Sequence, residues 1–272
     1  MSDKIQCATH GECEQTFVCL HLLGETSGLG FNGDEPTAAR PFPDAWCDDC
    51  ELIRAAHGGW NEQSEKLTKI SLLCSGCYER ARIRNTRAST TLEDLSDLQW
   101  KCDSCEEWHC GPCLDFGFDS PYYWSEESEK ASLLPNLSKN RGKTFLDDDY
   151  CAINDENFFV RGLIHLPILG AAETFRWGVW GSLSRENFNT LLEGNEDPKR
   201  VDLRPMFSWL STQLPGYPDT LNLKMYAHIQ EVGYCPNFRL ELTDHPLSQE
   251  YHKGVSPERV KKIMMERLRQ VE

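Results

Sequence analysis

The chain has 272 residues, 39% hydrophobic and 26% charged, which is enough for one large domain or two modest ones. The longest apolar stretch, residues 163–172, is interrupted by His165 and Pro167 and falls far short of the ~20 residues that cross a bilayer. The first 15 residues lack the apolar segment of a secretory signal. We therefore expect a cytoplasmic protein with no membrane insertion.

The net charge of −15 is unevenly distributed along the chain. All of it arises from residues 1–160, because residues 161–272 carry equal numbers of acidic and basic side chains. This asymmetry predicts at least two units with different surfaces. An acidic front half repels nucleic acid and favours a basic partner, so we do not expect nucleic-acid binding.

The chain contains thirteen cysteines. In a protein without an export signal, thiols stay reduced, and paired cysteines then indicate metal binding or redox chemistry rather than disulfides.

Four chelating pairs lie in residues 1–87, which we predict to be a Cys/His-rich zinc-binding module. Residues at such spacing direct two donors at one ion, and two such turns complete a tetrahedral Cys/His site. Four pairs therefore fill two zinc sites. The pairs are Cys7 and His10, Cys19 and His21, Cys47 and Cys50, and Cys74 and Cys77.

Two questions about this module are open at the level of sequence. Cys13 could replace His10 or His21 as a ligand. The pairs could join in sequence, or as a cross-brace of first with third and second with fourth. Because residues 1–85 show little apolar periodicity, we expect bound metal rather than a hydrophobic core to organise the module.

Residues 74–87 are predicted to form a short helix that begins at the last cysteine pair. A connector over residues 88–99 follows, in which Leu92, Leu95 and Leu98 have helical spacing. The remaining residues, 100–272, are predicted to form the second domain.

A second cysteine cluster opens this domain and predicts a third zinc site. Cys102, Cys105 and His109 are the natural first three ligands. The fourth is either Cys151 or a member of the pair Cys110 and Cys113. The sequence Cys-Gly-Pro-Cys at 110–113 also occurs in thioredoxin active sites, but those need a strand before the motif and a helix after it. The surrounding residues favour neither, so we do not expect redox catalysis.

Beyond residue 147 the pattern changes to strands and helices. Strands are predicted at 158–168, 175–183, 220–229 and 238–242, and residues 125–147 are predicted to be an irregular surface segment. Ser184 is a predicted N-cap, and Ser256-Pro257-Glu258 begins a helix that runs to about Arg269. Strands and helices without regular alternation predict an α+β fold with a mostly antiparallel sheet and a terminal helix.

From residue 100 onward the chain resembles DUF2199, an uncharacterised bacterial family. The resemblance covers about the last 170 residues and rests on several stretches in combination. They are the Cys102, Cys105 and His109 opening; Asp149-Tyr150-Cys151 with FFVRG at 158–162; WGVWGSLS at 177–184; LPGYPDTLNLK at 214–224; and LTDHPLSQEYHKGVS at 242–256.

The family pattern has a cysteine in the segment before FVRG. The resemblance therefore implies His109 and Cys151 as zinc partners of Cys102 and Cys105. This chain departs from the pattern by adding Cys110 and Cys113. The resemblance implies no activity.

The sequence contains no catalytic motif, and saturated four-ligand zinc sites leave no position for a substrate. We therefore expect binding rather than catalysis: a cytoplasmic, zinc-bound protein-interaction module, in one version an inhibitor or immunity-type protein for a basic effector. The alternative is a zinc metalloenzyme in which Asp244 or His245 transfers protons near the Cys102, Cys105 and His109 site. An Asp beside a proline-fixed bend is more often structural.

Overall fold

A computed structural model describes residues 4–88, 90–102, 106–133 and 144–269. The chain divides into two units. The first contains Met1–Pro112 with two later segments, Pro167–Thr174 and Lys253–Lys261. The second contains Cys113–Leu166, Phe175–His252 and Lys262–Glu272. These units are groups of residues that lie close together. The predicted domains, 1–87 and 100–272, are instead segments expected to fold independently, and their bounds stay a prediction.

The first unit is built on a small five-stranded sheet. Its centre is β2, which pairs antiparallel with β1 and β5 and parallel with β4, while β4 also pairs with β3. A separate hairpin joins β6 to β7. The strands are β1 Lys4–Cys7, β2 Gly11–Cys19, β3 Asn32–Gly33, β4 Ala45–Trp46, β5 Ile70–Cys74, β6 Gln99–Lys101 and β7 Trp108–Cys110.

Among the described residues of Met1–Pro112, three α-helices and two 3-10 helices accompany these strands. Cys74 is the N-cap of the third α-helix, as predicted for the residues that follow the last cysteine pair. The predicted helical spacing of the connector produces one short 3-10 turn, in which Leu95 is buried. The helices are α1 Asp48–Ala56, α2 Glu62–Glu65 and α3 Ser75–Asn85, with 3-10 turns at Leu20–Leu23 and Glu93–Leu95.

This unit has a hydrophobic core, which the sequence pattern did not predict. Val18, Leu22, Ala45 and Tyr78 are buried together, and aromatic side chains pack around them. Phe31 and Phe42 both meet the ring of Tyr78 edge-on. Three of the predicted zinc ligands belong to the same cluster: Cys19, Cys47 and Cys50. The core and the candidate metal ligands are therefore continuous, and apolar packing helps to organise this unit.

The second unit contains an eight-stranded sheet in the order β8-β12-β13-β14-β15-β11-β10-β9. An additional pairing of β12 with β11 closes five of its strands into a ring. Most pairs are antiparallel, as predicted; β11–β15 and β12–β8 are parallel. The strands are β8 Asp115–Gly117, β9 Phe145–Leu146, β10 Tyr150–Ile153, β11 Asn157–Pro167, β12 Thr174–Leu183, β13 Met206–Leu210, β14 Lys224–His228 and β15 Asn237–Leu240.

The ring of strands depends on a close approach at Gly181 of β12. A Cβ added there would lie 2.4 Å from Ser208 Oγ and 2.6 Å from both Met225 Cε and Phe238 Cζ. Trp177 and Trp180, on the two faces of β12, are both fully buried. Both faces of this strand are therefore buried. The alternating sequence pattern of the strand required only one buried face.

The helices of this part of the chain are α4 Glu126–Leu133, α5 Arg185–Glu193, α6 Pro246–Lys253 and α7 Pro257–Arg269, with a 3-10 helix at Pro198–Asp202. Ser184 is the N-cap of α5, as predicted, and its side-chain oxygen accepts a hydrogen bond from the amide of Asn187. Ser256 accepts the amide of Arg259 at the start of α7. Helix α4 lies in the predicted irregular segment, and residues 134–143 of that segment lie outside the described residues. The α+β fold class is confirmed.

Candidate metal centre

Two groups of four side chains gather in the first unit, and together they contain all eight residues of the predicted N-terminal pairs. In each group the potential ligand atoms lie within 4.8 Å of one another. We call them the outer group, Cys7, His10, Cys74 and Cys77, and the inner group, Cys19, His21, Cys47 and Cys50.

The strand pairing explains this combination of pairs. In the antiparallel pairing of β2 with β5, Gln15 lies opposite Cys74 and Cys19 lies opposite Ile70. The start of β2 therefore meets the end of β5, which brings the first cysteine pair to the fourth. The second and third pairs combine inside them. The arrangement is nested, unlike the sequential and cross-braced alternatives that the sequence allowed.

In the outer group, three thiols surround Nδ1 of His10. The distances from this nitrogen are 3.6 Å to Cys7 Sγ, 3.3 Å to Cys74 Sγ and 3.6 Å to Cys77 Sγ, and the sulfurs of Cys7 and Cys77 are 4.0 Å apart. Tetrahedral zinc bonds of ~2.3 Å to sulfur and ~2.0–2.1 Å to nitrogen separate S from N by about 3.5 Å and S from S by about 3.8 Å. The donor positions therefore fit a tetrahedral zinc ion.

The inner group has the same composition and is more deeply buried. Nδ1 of His21 lies 3.4 Å from Cys47 Sγ and 3.2 Å from Cys50 Sγ. Cys19, Cys47 and Cys50 are at most 2% exposed, whereas His21 is at the surface. This group also fits one zinc ion with Cys3His ligands.

Hydrogen bonds to sulfur support the ligand positions. The amide of Cys77 donates to Cys74 Sγ at 3.3 Å, and the amide of Cys47 donates to Cys19 Sγ at 3.3 Å. The hydroxyl of Thr68, itself buried, donates to Cys50 Sγ at 3.8 Å. Such outer partners orient metal ligands and stabilise the thiolate form.

The thiols of the two groups differ in acidity. Burial raises the pKa of Cys50 and the pKa of Cys77 to about 12 each. By contrast, the backbone amides of Thr9 and His10 lower the pKa of Cys7 to about 7. Since zinc binds the thiolate, metal binding must displace protons from the buried thiols.

Two residues that shape the groups were not singled out from the sequence. A Cβ on Gly76 would lie 2.7 Å from Cγ of the His10 ring, so only glycine lets the turn between Cys74 and Cys77 approach the histidine. Thr68 is the other. A glycine inside a Cys-x-x-Cys turn was a usable signal, whereas Thr68 lies far along the chain from Cys50.

Cys13, the alternative ligand, lies outside both groups. Its thiol donates to the carbonyl of His10 at 3.4 Å. The structure thus places His10 and His21, rather than Cys13, among the thiols.

The structure does not test the predicted third site as a whole. Cys102 follows the β6 strand, His109 stacks on Trp100 with ring centroids 4.9 Å apart, and Cys105 lies outside the described residues. Cys151 is fully buried in an apolar cluster of the second unit, where burial raises its pKa to about 12. Among the described residues, the outer and inner groups are the only clusters of potential metal ligands. The third site therefore stays a prediction.

The Cys-Gly-Pro-Cys segment follows a strand, contrary to the prediction, but no helix directly follows it in the described chain. Strand β7 ends at Cys110, and Cys113 is followed by strand β8 at Asp115 rather than by a helix. The helix N-terminus that would lower the pKa of the first thiol is missing from this part of the described chain.

Of the alternative proton carriers, Asp244 and His245, the second contacts the backbone at the start of α6. Nδ1 of His245 accepts the amide of Leu247 at 3.1 Å, in the first turn of α6, and Asp244 is exposed. His165 meets the amide oxygen of Asn237 at 3.1 Å. Nε2 of His245 is buried and has no hydrogen-bond partner among the described residues.

Most arginines of α3 and its continuation bind groups of their own unit. Arg82 pairs with Glu79, Arg87 pairs with Asp48 at 2.6 Å, and Arg84 donates to the carbonyl of Thr26.

Residues 101–255 match a family described as "Uncharacterized protein conserved in bacteria (DUF2199)", and this match spans more than half of the chain. The chain belongs to this family. Two of the sequence stretches that resemble DUF2199 lie on adjacent strands. FFVRG is part of β11, and WGVWGSLS forms the end of β12 and the cap of α5. The two nested groups lie before the matched residues, in the N-terminal segment that precedes the family domain.

Neither the curated proteins nor the solved structures offer a match to the chain. Among the described residues, the helices are too short or too polar to cross a membrane.

Proposed function

We propose that the first unit is a zinc-organised protein-interaction module, in which the outer and inner groups each hold one structural zinc ion. The observation that carries the proposal is that each group supplies four protein ligands, three cysteines and one histidine, at tetrahedral spacing. Structural zinc sites are closed in this way, whereas catalytic sites keep a position for water. The metal then stabilises a fold whose surface binds another macromolecule.

The charge of the chain supports a basic protein as the partner. The first 160 residues carry all of the net charge of −15, and a field of that sign attracts cationic surfaces and repels nucleic acid. An inhibitor or immunity-type role against a basic effector in the cytoplasm is the specific form of this proposal.

Metal analysis tests the zinc part. We expect purified protein to carry two zinc ions in the nested groups, and cobalt in their place to give the intense visible absorption of tetrahedral sites with sulfur ligands. A third equivalent that is lost in the Cys105→Ser variant would locate the predicted third site. Protein without zinc, or five-coordinate cobalt in the nested groups, would contradict closed structural sites.

Affinity capture tests the partner. Wild-type protein and a Cys50→Ser variant are used as bait in host extract at low and at high salt. We expect a basic protein that the wild type retains and the variant loses. Equal capture by both would show that the zinc-organised fold is not needed.

A further inference from the structure

A pocket of about 920 Å³ opens in the first unit beside the inner group. Its wall includes Cys19, a member of that group, and Thr68, which donates to Cys50. Binding sites typically have volumes of ~300–1,000 Å³ and few polar groups at defined positions. This volume is large enough for a short peptide segment of several residues.

One wall of the pocket is a fixed aromatic and carboxylate arrangement. Trp46 and Trp60 meet edge-on with ring centroids 5.2 Å apart. The indole nitrogen of Trp46 donates to Glu51 at 2.6 Å. This hydrogen bond holds the indole in one orientation, so this wall of the pocket is preformed.

This wall already accommodates one cation of the chain itself. Arg54 donates to both carboxylate oxygens of Glu51 at 2.7 Å, and its guanidinium lies 5.8 Å from the ring centroid of Trp46. Indole faces attract ammonium and guanidinium groups within ~6 Å. Arg54 therefore shows that the chemistry of this wall suits a positively charged group.

Further acidic groups line the pocket. Asp34 and Glu65 are exposed there. Within the described residues neither forms an ion pair, and the charge of Asp34 also stabilises the guanidinium of Arg54. A third carboxylate, that of Asp44, accepts the amide of Phe17 and pairs with Arg40 at 2.7 Å. With Arg54 held by Glu51, the pocket keeps an excess of negative charge. Zinc in the inner group leaves this excess in place, because three thiolates outweigh one divalent ion.

An exposed apolar strip borders the pocket. Phe17 lies opposite Leu72 in the β2–β5 pairing, and Ile70 is two residues from Leu72 on the same face. Their exposed fractions are 38%, 45% and 65%. Contiguous exposed apolar side chains beside polar ones mark interaction surfaces.

We infer that this pocket is the docking site for a basic peptide segment of a protein partner, which places a lysine or arginine between Trp46, Trp60 and the free carboxylates and an apolar side chain on the strip. The inference rests on the proposed function, since it names the partner chemistry of the same module. Charge complementarity selects a cationic segment over an acidic or neutral one.

Nuclear magnetic resonance tests this docking site directly. The probe is the capped peptide Gly-Lys-Leu-Lys-Gly, with Gly-Glu-Leu-Glu-Gly as the charge-reversed control, added to the full chain at physiological salt. Indole N–H signals of Trp46 and Trp60 are identified from Trp→Phe variants. We expect saturable shifts of these two signals with the lysine peptide and none with the glutamate peptide.

Two matched double variants separate the pocket from the general acidity of the chain. Asp34→Asn with Glu65→Gln removes the free carboxylates of the pocket, and we expect affinity for the lysine peptide to fall about tenfold. Glu93→Gln with Asp97→Asn removes the same charge from exposed positions that do not line the pocket, and we expect less than a twofold change. Equal weakening by both pairs would overturn the inference.

Zinc is measured in every sample. Two zinc ions without any shift of the indole signals would refute the docking site while leaving the proposed metal sites intact. Absence of zinc from folded wild-type protein would refute the proposed function itself.

Discussion

Cys13 and Cys74 are cysteines of one small unit, yet they differ in their surroundings. Cys74 is 2% exposed, and its sulfur faces Nδ1 of His10. The thiol of Cys13 instead donates a hydrogen bond to the backbone carbonyl of His10. This contrast provides a matched pair of cysteine substitutions for the outer group.

We expect Cys74→Ser to lower the zinc content by one equivalent and Cys13→Ser to leave it unchanged. Loss of a direct ligand weakens metal binding by more than the ~10–100-fold that follows from loss of an outer partner. The zinc content per chain is measured by releasing the metal to a chromophoric chelator and dividing its amount by the protein concentration. A drop with Cys13→Ser alone would show that Cys13 replaces a histidine.

The acidity of the thiols predicts proton release on metal binding. The raised pKa values of Cys50 and Cys77 keep their thiols protonated at neutral pH until zinc displaces the protons. Each group has three thiols, so each releases up to three protons, and the outer group releases fewer because the pKa of Cys7 is about 7. Zinc affinity must therefore fall as pH falls.

Calorimetric zinc titration in buffers of different ionisation enthalpy counts these protons. We expect the outer group, isolated in an inner-group variant such as Cys50→Ser, to release fewer protons at pH 7 than at pH 6. Circular dichroism before zinc is added establishes that the first unit of this variant is folded, which the pKa of Cys7 requires. Equal counts at the two pH values would contradict a Cys7 thiol that is already half ionised near neutrality.

At this scale the sequence predicted the ligand types well. Chelating spacing is a local property, so the eight residues of the nested groups could be named from it. The competition between Cys13 and the histidines could not be decided, because it depends on how the turn after β1 directs each side chain. Gly76 and Thr68 were missed for a related reason: their roles exist only once distant segments meet.

Among the elements, strand β12 combines two buried faces with a close approach at Gly181. We expect Gly181→Ala to destabilise the second unit by ~1–3 kcal/mol, the usual cost of overpacking a core. The added methyl group would collide with Ser208, Met225 and Phe238. Urea unfolding followed by circular dichroism measures the change.

A compensating substitution tests this explanation. Phe238→Leu shortens one of the three colliding side chains, so the double variant should recover part of the loss. If Gly181→Ala were neutral, the ring of strands would have to be looser at this point than the structure indicates.

Several elements followed from local pattern: the strands β11, β12, β14 and β15 and the helices α3, α5 and α7. Others did not. Helix α4 lies in a polar stretch without apolar periodicity, and the N-terminal sheet was hidden because its buried positions include cysteines. The closure of β12 on β11 and the nested pairing of cysteines both depend on contacts between distant residues, which periodicity does not encode.

For the molecule as a whole, the two units should respond differently to metal removal. The described core of the second unit is built from buried aliphatic and aromatic side chains, and neither Cys3His group belongs to it. We expect a strong chelator to abolish amide-exchange protection in β1, β2 and β5 while protection in β11–β15 persists. Structural zinc contributes ~10–16 kcal/mol of apparent folding free energy in small domains, so its loss should unfold the first unit.

Hydrogen exchange with mass spectrometry, before and after chelation, resolves the two units. Readdition of zinc serves as the control, since protection in the first unit should return. Loss of protection in both units together would show that metal stabilises the second as well. Unchanged protection in β1, β2 and β5 would show that the hydrophobic core of the first unit is sufficient on its own.

The nested arrangement has a consequence for biosynthesis. Chains emerge from the ribosome N-terminus first. The inner group is complete once residue 50 is free, but the outer group waits for Cys77, although its first two ligands appear earliest of all. A nascent chain can thus load its inner ion while Cys7 and His10 still lack their partners. Before Cys74 and Cys77 appear, Cys7 and His10 could bind a zinc ion together with cysteines of the inner group. Early binding of zinc by the complete inner group would prevent this mispairing.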